Sequence, residues 1–527
     1  LTTTGSGRME VLTNTMLYSP HVLADYRVIH ALIEDLDDVY GEMASLIQQV
    51  VKCLGTGEQI ALHDPNDYFI MKHYSLPHVD KSQLISLLKK DFDPQGRKLM
   101  ANKLSLIGSI AKEEENPWYL SLLETAKKDV REQLIFCLGY SEENIPLLLE
   151  LVNKERGKNK EAINNVLGKH TFPGMVDFWK EQIKKNPNAV CHLQYGQSDE
   201  ISDMLAEHLK AQCFQLIHGR EPAKESDLTN LTNGMYATVG KISSGMLDFY
   251  HWILDNIGSL TNKKYEKVFG KGGMAYVLRH VISETLVYSC PQEMVDFLDN
   301  LPQKDVNILA QSCFISDLLT KSASYVYDKW HKQETLTPKV VDTWLGDCVF
   351  YHYGIYYAKI YSRMSSGDVS GYYSNITRKL KEPLDLRWFD WMMERNASGL
   401  LSNLTPNGPL ELLQTVGEYF HKRALTTPWK QKVSYHSVSE TLECLHMMNR
   451  CGCKDFRGTV LAMCKQSPNI SWWNLRPVLQ RYYEFAGAES TFAEAQDILQ
   501  FYNESYQGGK TVEELRNHLV DEGFLKV

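Results

Sequence analysis

The chain has 527 residues, of which 43% are hydrophobic and 23% are charged, and its formal net charge is −9. This balance is ample for a folded core and disfavours a surface devoted to nucleic acid, which needs clustered lysine and arginine. The eleven cysteines show no even framework, so we expect reduced thiols in a cytoplasmic protein. No run of 18 apolar residues is present, and no membrane-spanning helix is expected.

The first half of the chain predicts paired helices. Residues 1–19 lack the apolar region of a secretory signal and predict a flexible tail or the cut edge of a longer chain. Apolar residues then recur at helical spacing in 25–36 and again in 40–54, which predicts an antiparallel helical hairpin. We expect this hairpin to begin a helical-repeat array over residues 20–220, with short, proline-broken helices between 56 and 95.

One pattern occurs three times with starts 29 residues apart, at Ala101–Ile110, Val130–Gly139 and Asn159–Gly168. Each copy is followed by a turn and a second apolar segment, so each predicts two antiparallel helices. We expect Gly139 and Gly168 to end the first helices in a left-handed conformation, which glycine adopts at least cost. Because one hairpin cannot bury its apolar face alone, the copies must stack, which predicts an α-solenoid.

These segments carry a family resemblance. The VRxxxxxxLG helix at Val130 and the following (I/L)PxLLxL helix at Ile145 resemble HEAT repeats, the paired-helix units of many scaffold and adaptor proteins. A longer pattern is similar to bacterial HEAT-repeat proteins encoded beside MoxR-type AAA+ ATPases, von Willebrand A proteins and SWIM zinc-finger proteins. Besides the Val130 helix, its matching parts are Asp25–Arg27 with the hairpin that follows, Phe92–Gly96 and Pro383–Trp388.

The resemblance implies an all-α fold, a right-handed α-solenoid of HEAT-like helical hairpins that becomes irregular and aromatic-rich in the C-terminal half. It implies a scaffold or adaptor that binds a protein partner, such as the MoxR-type ATPase or a von Willebrand A protein, with no cofactor and no catalytic residue. An enzyme whose site combines residues from distant repeats stays open as an alternative.

A polar stretch rich in helix breakers divides the chain. It begins at His218, and we expect a linker or a long inter-repeat loop over 221–240, followed by a C-terminal helical-repeat region over 241–527. Near the end of the chain, residues 511–520 predict a helix with a capping box at Thr511 and Glu514, which suits a terminal cap of the array.

Aromatic residues are concentrated in two places in the C-terminal region. The segment 350–361 predicts a helix, and the segment that starts at Pro383 predicts a helical hairpin. Tyrosine and tryptophan present large surfaces with a polar end, so they are favoured where proteins meet, although we favour packing in the core as the simpler explanation. The candidate partner-binding residues are Tyr353, Tyr356, Tyr357, Tyr361, Trp388 and Trp391.

A second functional hypothesis is a DNA-binding or DNA-repair protein similar to the HEAT-like DNA glycosylases. Such a protein needs a local basic groove with aromatic residues that engage exposed bases. Tyr265 and Tyr276 lie near the residues that would form it, which are Lys263, Lys264, Lys267, Lys271 and Arg279. The net acidity of the chain weighs against this hypothesis.

Four residues form a weak candidate metal site. Thiolates and imidazole bind zinc, and the group comprises Cys444, His446, Cys451 and Cys453, with Cys464 nearby. Their spacing is not one of the common zinc patterns, and the segment before Cys451 predicts an amphipathic helix. We therefore expect no metal and reduced structural cysteines.

Overall fold

The computed structural model of the chain is mostly helical. By internal contacts the chain divides into two compact units, a first unit of Leu1–Ser312 with Tyr361–Asn375, and a second unit of Cys313–Ile360 with Ile376–Val527. Within the described residues, no helix combines the length and the apolar character needed to cross a membrane. The structure describes residues 7–64, 67–196, 198–219, 224–261, 265–332, 338–352, 354–361, 375–426, 439–453, 457–466, 472–505 and 509–525.

The helices are numbered in chain order. Those up to residue 308 are α1 (Gly7–Tyr18), α2 (Tyr26–Glu34), α3 (Gly41–Thr56), α4 (Lys81–Lys89), α5 (Lys98–Ala111), α6 (Asn116–Ser121), α7 (Lys128–Leu138), α8 (Ile145–Lys154), α9 (Gly157–Leu167), α10 (Met175–Lys185), α11 (Asp199–His218), α12 (Glu225–Tyr236), α13 (Ser244–Asp255), α14 (Ile257–Leu260), α15 (Glu266–Phe269), α16 (Gly273–Tyr288), α17 (Gln292–Asp299) and α18 (Gln303–Ile308). Short 3-10 helices lie at Pro20–Ala24, Lys112–Glu115, Glu142–Asn144 and Pro187–Leu193.

The later helices are α19 (Ala310–Thr320), α20 (Ala323–Trp330), α21 (Pro338–Cys348), α22 (Arg387–Glu394), α23 (Ser398–Leu404), α24 (Leu410–Thr426), α25 (Ser439–Arg450), α26 (Thr459–Gln466), α27 (Trp472–Ser505) and α28 (Gly509–Asp521). Gly487, with a φ of 80°, interrupts α27.

The mostly helical structure fits the all-α prediction, and five short strands also occur among the described residues. In the first unit, β1 (Ile60–Asp64) pairs antiparallel with β2 (Asp67–Tyr74), and Ile60 faces Tyr74 in the register. The other strands are β3 (Val349–His352), β4 (Ile355–Tyr361) and β5 (Asn375–Lys379), which form a sheet in the order β3-β4-β5.

The helix predicted over 350–361 is wrong, because this segment forms the β3–β4 hairpin. Phe350 faces Tyr357 across the hairpin, and His352 faces Ile355. Gly354 has a φ of 83°, a left-handed conformation suited to a tight turn. Aromatic and β-branched residues pack well on a pleated sheet. The aromatic segment 350–361 can therefore form two strands when a tight turn divides it.

The flexible tail predicted for residues 1–19 is also wrong from Gly7 onward, where α1 begins. Leu12 and Met16 on α1 are buried. The Arg8 guanidinium pairs with the Asp38 carboxylate, with 3.1 Å between Nη2 and Oδ1. Apolar burial and this ion pair hold α1 against the rest of the first unit.

The region predicted as a linker over 221–240 is largely the helix α12. Leu228, Leu231 and Met235 on this helix are buried, and the residues from 237 to 240 are buried as well. The division between the compact units lies much later, at Ser312. A polar sequence was therefore compatible with a helix whose apolar residues lie on one face.

The three copies of the repeat form successive helices. Helices α5, α7 and α9 are the first helices of the three copies, α5 packs on α7, and α7 packs on α9. Pro146 lies in the first turn of α8. Gly139 and Gly168 have φ angles of −68° and −64°, so the predicted left-handed caps are wrong.

Gly168 is needed for close packing. A Cβ on this residue would lie 1.7 Å from the carbonyl oxygen of His192, and a Cβ on Gly139 would lie 2.6 Å from a methyl group of Val166. A side chain such as Val166 can shift, whereas a carbonyl belongs to the main chain. Only glycine lets the backbone at His192 approach the end of α9.

Replacing Gly168 by alanine is expected to lower the free energy of unfolding by at least about 2 kcal/mol, because the new methyl group meets main-chain atoms. Urea denaturation followed by circular dichroism measures the change. Gly258→Ala is the matched control, since a Cβ there meets nothing within 4 Å. The control is expected to change stability by less than about 0.5 kcal/mol. Equal losses in both variants would contradict the close-packing explanation.

Candidate functional site

Helices α9 and α10 and the 3-10 helix Pro187–Leu193 enclose a cleft of about 420 Å³ in the first unit, which we call the polar cleft. Clefts that hold ligands have volumes of roughly 300–1,000 Å³. Most of the lining side chains are polar, among them Lys160, Asn164, Gln182, Lys185, Asn186 and His192. The polar cleft is therefore large enough for a small ligand or a short stretch of a larger one.

Asn164 breaks the pattern of the repeat. The corresponding residues of the two earlier copies are Leu106 and Ile135, at successive steps of 29 residues, and these are 4% and 0% exposed. Asparagine is unfavourable inside a helix because its side chain competes for backbone hydrogen bonds. Neither helix formation nor core packing accounts for an amide at this position.

Two largely buried amide side chains line the polar cleft, and among the described residues one of them has a buried oxygen without a hydrogen-bond partner. Asn164 is 7% exposed, and its Oδ1 is buried without a partner among the described residues. Gln182 on α10 is 6% exposed, and no hydrogen bond to its side chain occurs in the described part of the chain. A buried polar group left without a partner costs about 1–3 kcal/mol. A ligand that donates a hydrogen bond to Oδ1 of Asn164 would recover that free energy.

His192 is held in a defined orientation at the cleft. Its Nδ1 lies 2.6 Å from Oδ1 of Asn165. Burial lowers the pKa of His192 to about 4, so the ring is neutral at physiological pH. With Oδ1 of Asn165 as the acceptor, Nδ1 carries the proton and donates it, which leaves Nε2 as a hydrogen-bond acceptor.

The two cations of the cleft differ in their surroundings. The Lys185 ammonium pairs with the Glu181 carboxylate at 2.5 Å. Lys160 is half-buried on α9, one turn before Asn164, and forms no ion pair or hydrogen bond with the described residues. The lining thus offers amide donors and acceptors, a neutral imidazole and one uncommitted positive charge. These groups are suited to binding a polar ligand with an anionic part.

The wall that carries His192 is positioned by two glycines. Besides the contact at Gly168, a Cβ on Gly196 would lie 2.5 Å from the carbonyl oxygen of Gly168. The main chain of 187–196 therefore crosses the end of α9 at a distance that side chains would prevent. This crossing places His192 opposite the helical face that carries Asn164.

A buried lysine fixes the end of the same segment. Lys241 is 1% exposed, and its ammonium donates hydrogen bonds to the carbonyl oxygens of Leu193 and Gly196, at 2.9 Å for Gly196. Burial lowers the pKa of Lys241 to about 7. A neutral amine still donates two hydrogen bonds, so the anchor persists in both protonation states.

A buried carboxylate fixes the neighbouring residues. Glu284 on α16 is 0% exposed, and its Oε1 accepts hydrogen bonds from Oη of Tyr195 at 2.5 Å and from Nε2 of Gln194 at 3.2 Å. Tyr195 has a φ of 63°, which is uncommon outside glycine. The hydrogen bond from its side chain helps to offset the cost of this backbone conformation.

No protein-family model matches the sequence, and comparison with curated proteins finds no match.

The aromatic residues predicted to bind a partner lie mainly in the second unit's core. Trp388 and Trp391 are 0% and 4% exposed and pack edge to face, with 5.3 Å between ring centroids. Tyr356 is buried, and its hydroxyl donates to the carbonyl of Leu404 at 2.6 Å. Tyr357 is half-buried and stacks on its hairpin partner. Tyr353 and the side chain of Tyr361 lie outside the described residues.

The residues predicted to form a basic groove have different environments. Lys267 pairs with Glu225 at 3.1 Å, and Arg279 is half-buried, with its pKa lowered by burial. Lys271 is exposed. Lys263 and Lys264 lie outside the described residues. The described members therefore supply one exposed lysine without an ion pair, rather than a continuous basic surface.

The cysteine and histidine candidates for a metal site lie in and after α25. Burial raises the pKa of the Cys451 thiol to about 11 and also raises that of Cys453, which keeps both thiols protonated at neutral pH. Cys444 and His446 are buried. Among the described residues, no three histidine, cysteine or acidic side chains are grouped as a metal would require.

Sequence reasoning missed the polar cleft, although one signal was present. Asn164 and Asn165 stand side by side inside a predicted helix, and Asn164 falls where the repeat otherwise has a buried aliphatic residue. A comparison of the three copies position by position would have singled out this exception. The contribution of His192 had no such signal, because it depends on how the segment after α10 folds back.

Lys241→Met is expected to flatten part of the pH dependence of stability. The pKa of Lys241 falls from 10.5 to about 7 on folding, so between these values the unfolded chain binds one more proton and stability rises with pH. The stability of the wild type minus that of the variant is expected to grow by about 2 kcal/mol between about pH 7.5 and 9, and to be constant below about pH 6.

Urea denaturation of both proteins at each pH measures this difference. Lys304→Met is the control, because Lys304 is 67% exposed and its pair with Asp255 is 3.6 Å long. The control difference is expected to be flat over the same window. A flat difference for Lys241→Met as well would show that this lysine keeps its ordinary pKa in the folded chain.

Proposed function

We propose that the chain is a non-catalytic scaffold or adaptor, and that the polar cleft binds an extended segment of a partner protein. One observation carries the proposal: Asn164 is more than nine-tenths buried at the cleft, and its Oδ1 is buried without a hydrogen-bond partner among the described residues. Proteins rarely retain such groups without a role, because each costs free energy in the unbound state.

The chemistry of the lining suits a peptide main chain. Each peptide unit presents an N–H donor and a C=O acceptor. A primary amide such as that of Asn164 or Gln182 presents the complementary acceptor and donor from one planar group. Nε2 of His192 adds a further acceptor. A nucleic-acid backbone would need several clustered cations, whereas Lys185 in the cleft is already paired with Glu181.

The architecture proposed for this role is a right-handed α-solenoid of HEAT-like hairpins. The successive packing of α5, α7 and α9 supports it, as does the spacing of 29 residues. The resemblance to bacterial HEAT-repeat proteins favours a cytoplasmic partner from an AAA+ system, either a MoxR-type ATPase or a von Willebrand A protein. Burial raises the pKa of the Cys137 and Cys213 thiols to about 12, which suits inert thiols in a reducing compartment.

Replacing both Asn164 and Gln182 by leucine is expected to weaken peptide binding at least tenfold while leaving the unbound protein as stable or more stable, by about 1 kcal/mol. The reason is that leucine removes the cost of the unpaired Asn164 oxygen together with the groups that recognise the ligand. Random 12-residue peptides are selected by phage display on the full chain, and synthetic copies are measured by fluorescence anisotropy. Urea denaturation gives the stability.

Asn153→Leu is the matched control, since Asn153 is exposed on α8 and does not line the cleft. It is expected to leave peptide affinity unchanged. Peptides that bind the double variant as tightly as the wild type would place recognition outside the polar cleft. Failure to select any peptide that binds the wild type would count against a peptide ligand.

A further inference from the structure

The second copy of the repeat contains an ion pair between its first helix and the residue that follows its second helix. Nε and Nη2 of Arg131 on α7 donate to Oε1 of Glu155 at 2.9 and 2.8 Å, and Nη1 donates to the carbonyl of Leu123. Glu155 is the residue that follows α8. The side chains of Arg131 and Glu155 are 13% and 17% exposed. This pair is therefore largely shielded from water and well formed.

The first copy has a comparable contact. Asn102 stands 29 residues before Arg131, and its Nδ2 donates to the carbonyl of Leu36 at 2.8 Å. In both copies this position thus satisfies an acceptor within the protein. In these two copies, the side chain at this position donates hydrogen bonds to an acceptor of the same chain.

In the third copy the donor lacks its acceptor. Lys160 stands 29 residues after Arg131, lines the polar cleft, and forms no ion pair or hydrogen bond with the described residues. By the same step of 29 residues Glu155 corresponds to Lys184 near the end of α10, and Lys185 and Asn186 follow it. The third copy therefore has a lysine where the second copy has the carboxylate of Glu155.

The remaining acidic residue of the cleft does not compensate. Glu161 is exposed beside Lys160 on α9, and within the described part of the chain no ion pair joins it to any cation. Successive residues on a helix point about 100° apart, so the two side chains do not face each other. The cleft therefore retains a half-buried lysine that has no counter-ion among the described residues.

We infer that the partner segment carries an aspartate or glutamate whose carboxylate pairs with Lys160, in the role that Glu155 has toward Arg131. The main chain of the segment hydrogen-bonds Asn164, one turn further along α9, and Gln182 across the cleft. This inference rests on the proposed function and specifies its ligand as an acidic peptide. An ion pair at a half-exposed cleft wall is partly screened, so affinity should fall as salt rises.

The test uses the peptides selected on the full wild-type chain, with random 12-residue peptides as the starting library. Peptides that lose affinity on Asn164→Leu with Gln182→Leu are kept as cleft ligands. We expect them to share an acidic residue, and its replacement by the matching amide to weaken binding at least tenfold at low salt. The loss is expected to shrink in high salt, because the ion pair is screened there.

Charge reversal provides the specific readout. Lys160→Glu is expected to weaken the acidic peptides at least tenfold and to restore binding of peptides in which the acidic residue is replaced by lysine. Lys158→Glu is the matched control, since Lys158 is exposed on the same helix and does not line the cleft. It is expected to leave both peptide sets unchanged. Thermal unfolding followed by circular dichroism verifies that both variants fold.

The outcomes separate this inference from the function on which it rests. Cleft-dependent peptides without a shared acidic residue, or without a switch in preference on Lys160→Glu, would overturn the acidic ligand and leave the peptide site standing. Equal affinity of the peptides for Lys158→Glu and Lys160→Glu, with the preference for acidic peptides unchanged, would likewise overturn the acidic ligand. Absence of any cleft-dependent peptide would overturn the proposed function itself.

Discussion

The polar cleft depends on the contact between the end of α9 and the main chain that returns across it. The carbonyl of His192 occupies the space where any side chain at residue 168 would stand, and Gly196 makes a second close approach to the same point. With larger residues the returning segment would lie farther out, and the wall that carries His192 would move away from Asn164. Two missing side chains thus set the width of a site formed by other residues.

The buried polar side chains around this crossing differ in whether they form hydrogen bonds within the chain. Lys241 and Glu284 are more than nine-tenths buried, and their hydrogen bonds fix the main chain and side chains of residues 193–196. Asn164 and Gln182 are buried to a similar degree but make no such bonds within the described residues. The first pair gives the site rigidity, which reduces the ordering needed on binding. The second pair leaves hydrogen-bonding capacity for a ligand.

The repeat supplies its own internal comparison. Where the second copy joins Arg131 to Glu155, the third copy has a lysine and no carboxylate, and where the earlier copies bury an aliphatic residue, the third has Asn164. Both departures face one cleft. Regular positions of a repeat maintain stacking between neighbours, so positions that abandon the regular residue are free to serve recognition. We accordingly propose that the binding function lies at the residues that depart from the 29-residue repeat.

The sequence by itself determined the helical character of the chain and the recurrence of helices at 29-residue spacing, because apolar periodicity is a local property. It also contained the exception at Asn164. Tertiary structure decided the rest. Phe350–Tyr361 became a hairpin through pairing between strands, and Trp388 entered the core through neighbours distant in sequence. The cleft could not be predicted from local sequence periodicity either. His192 reaches it only where the chain folds back over Gly168, and such a contact depends on three-dimensional packing.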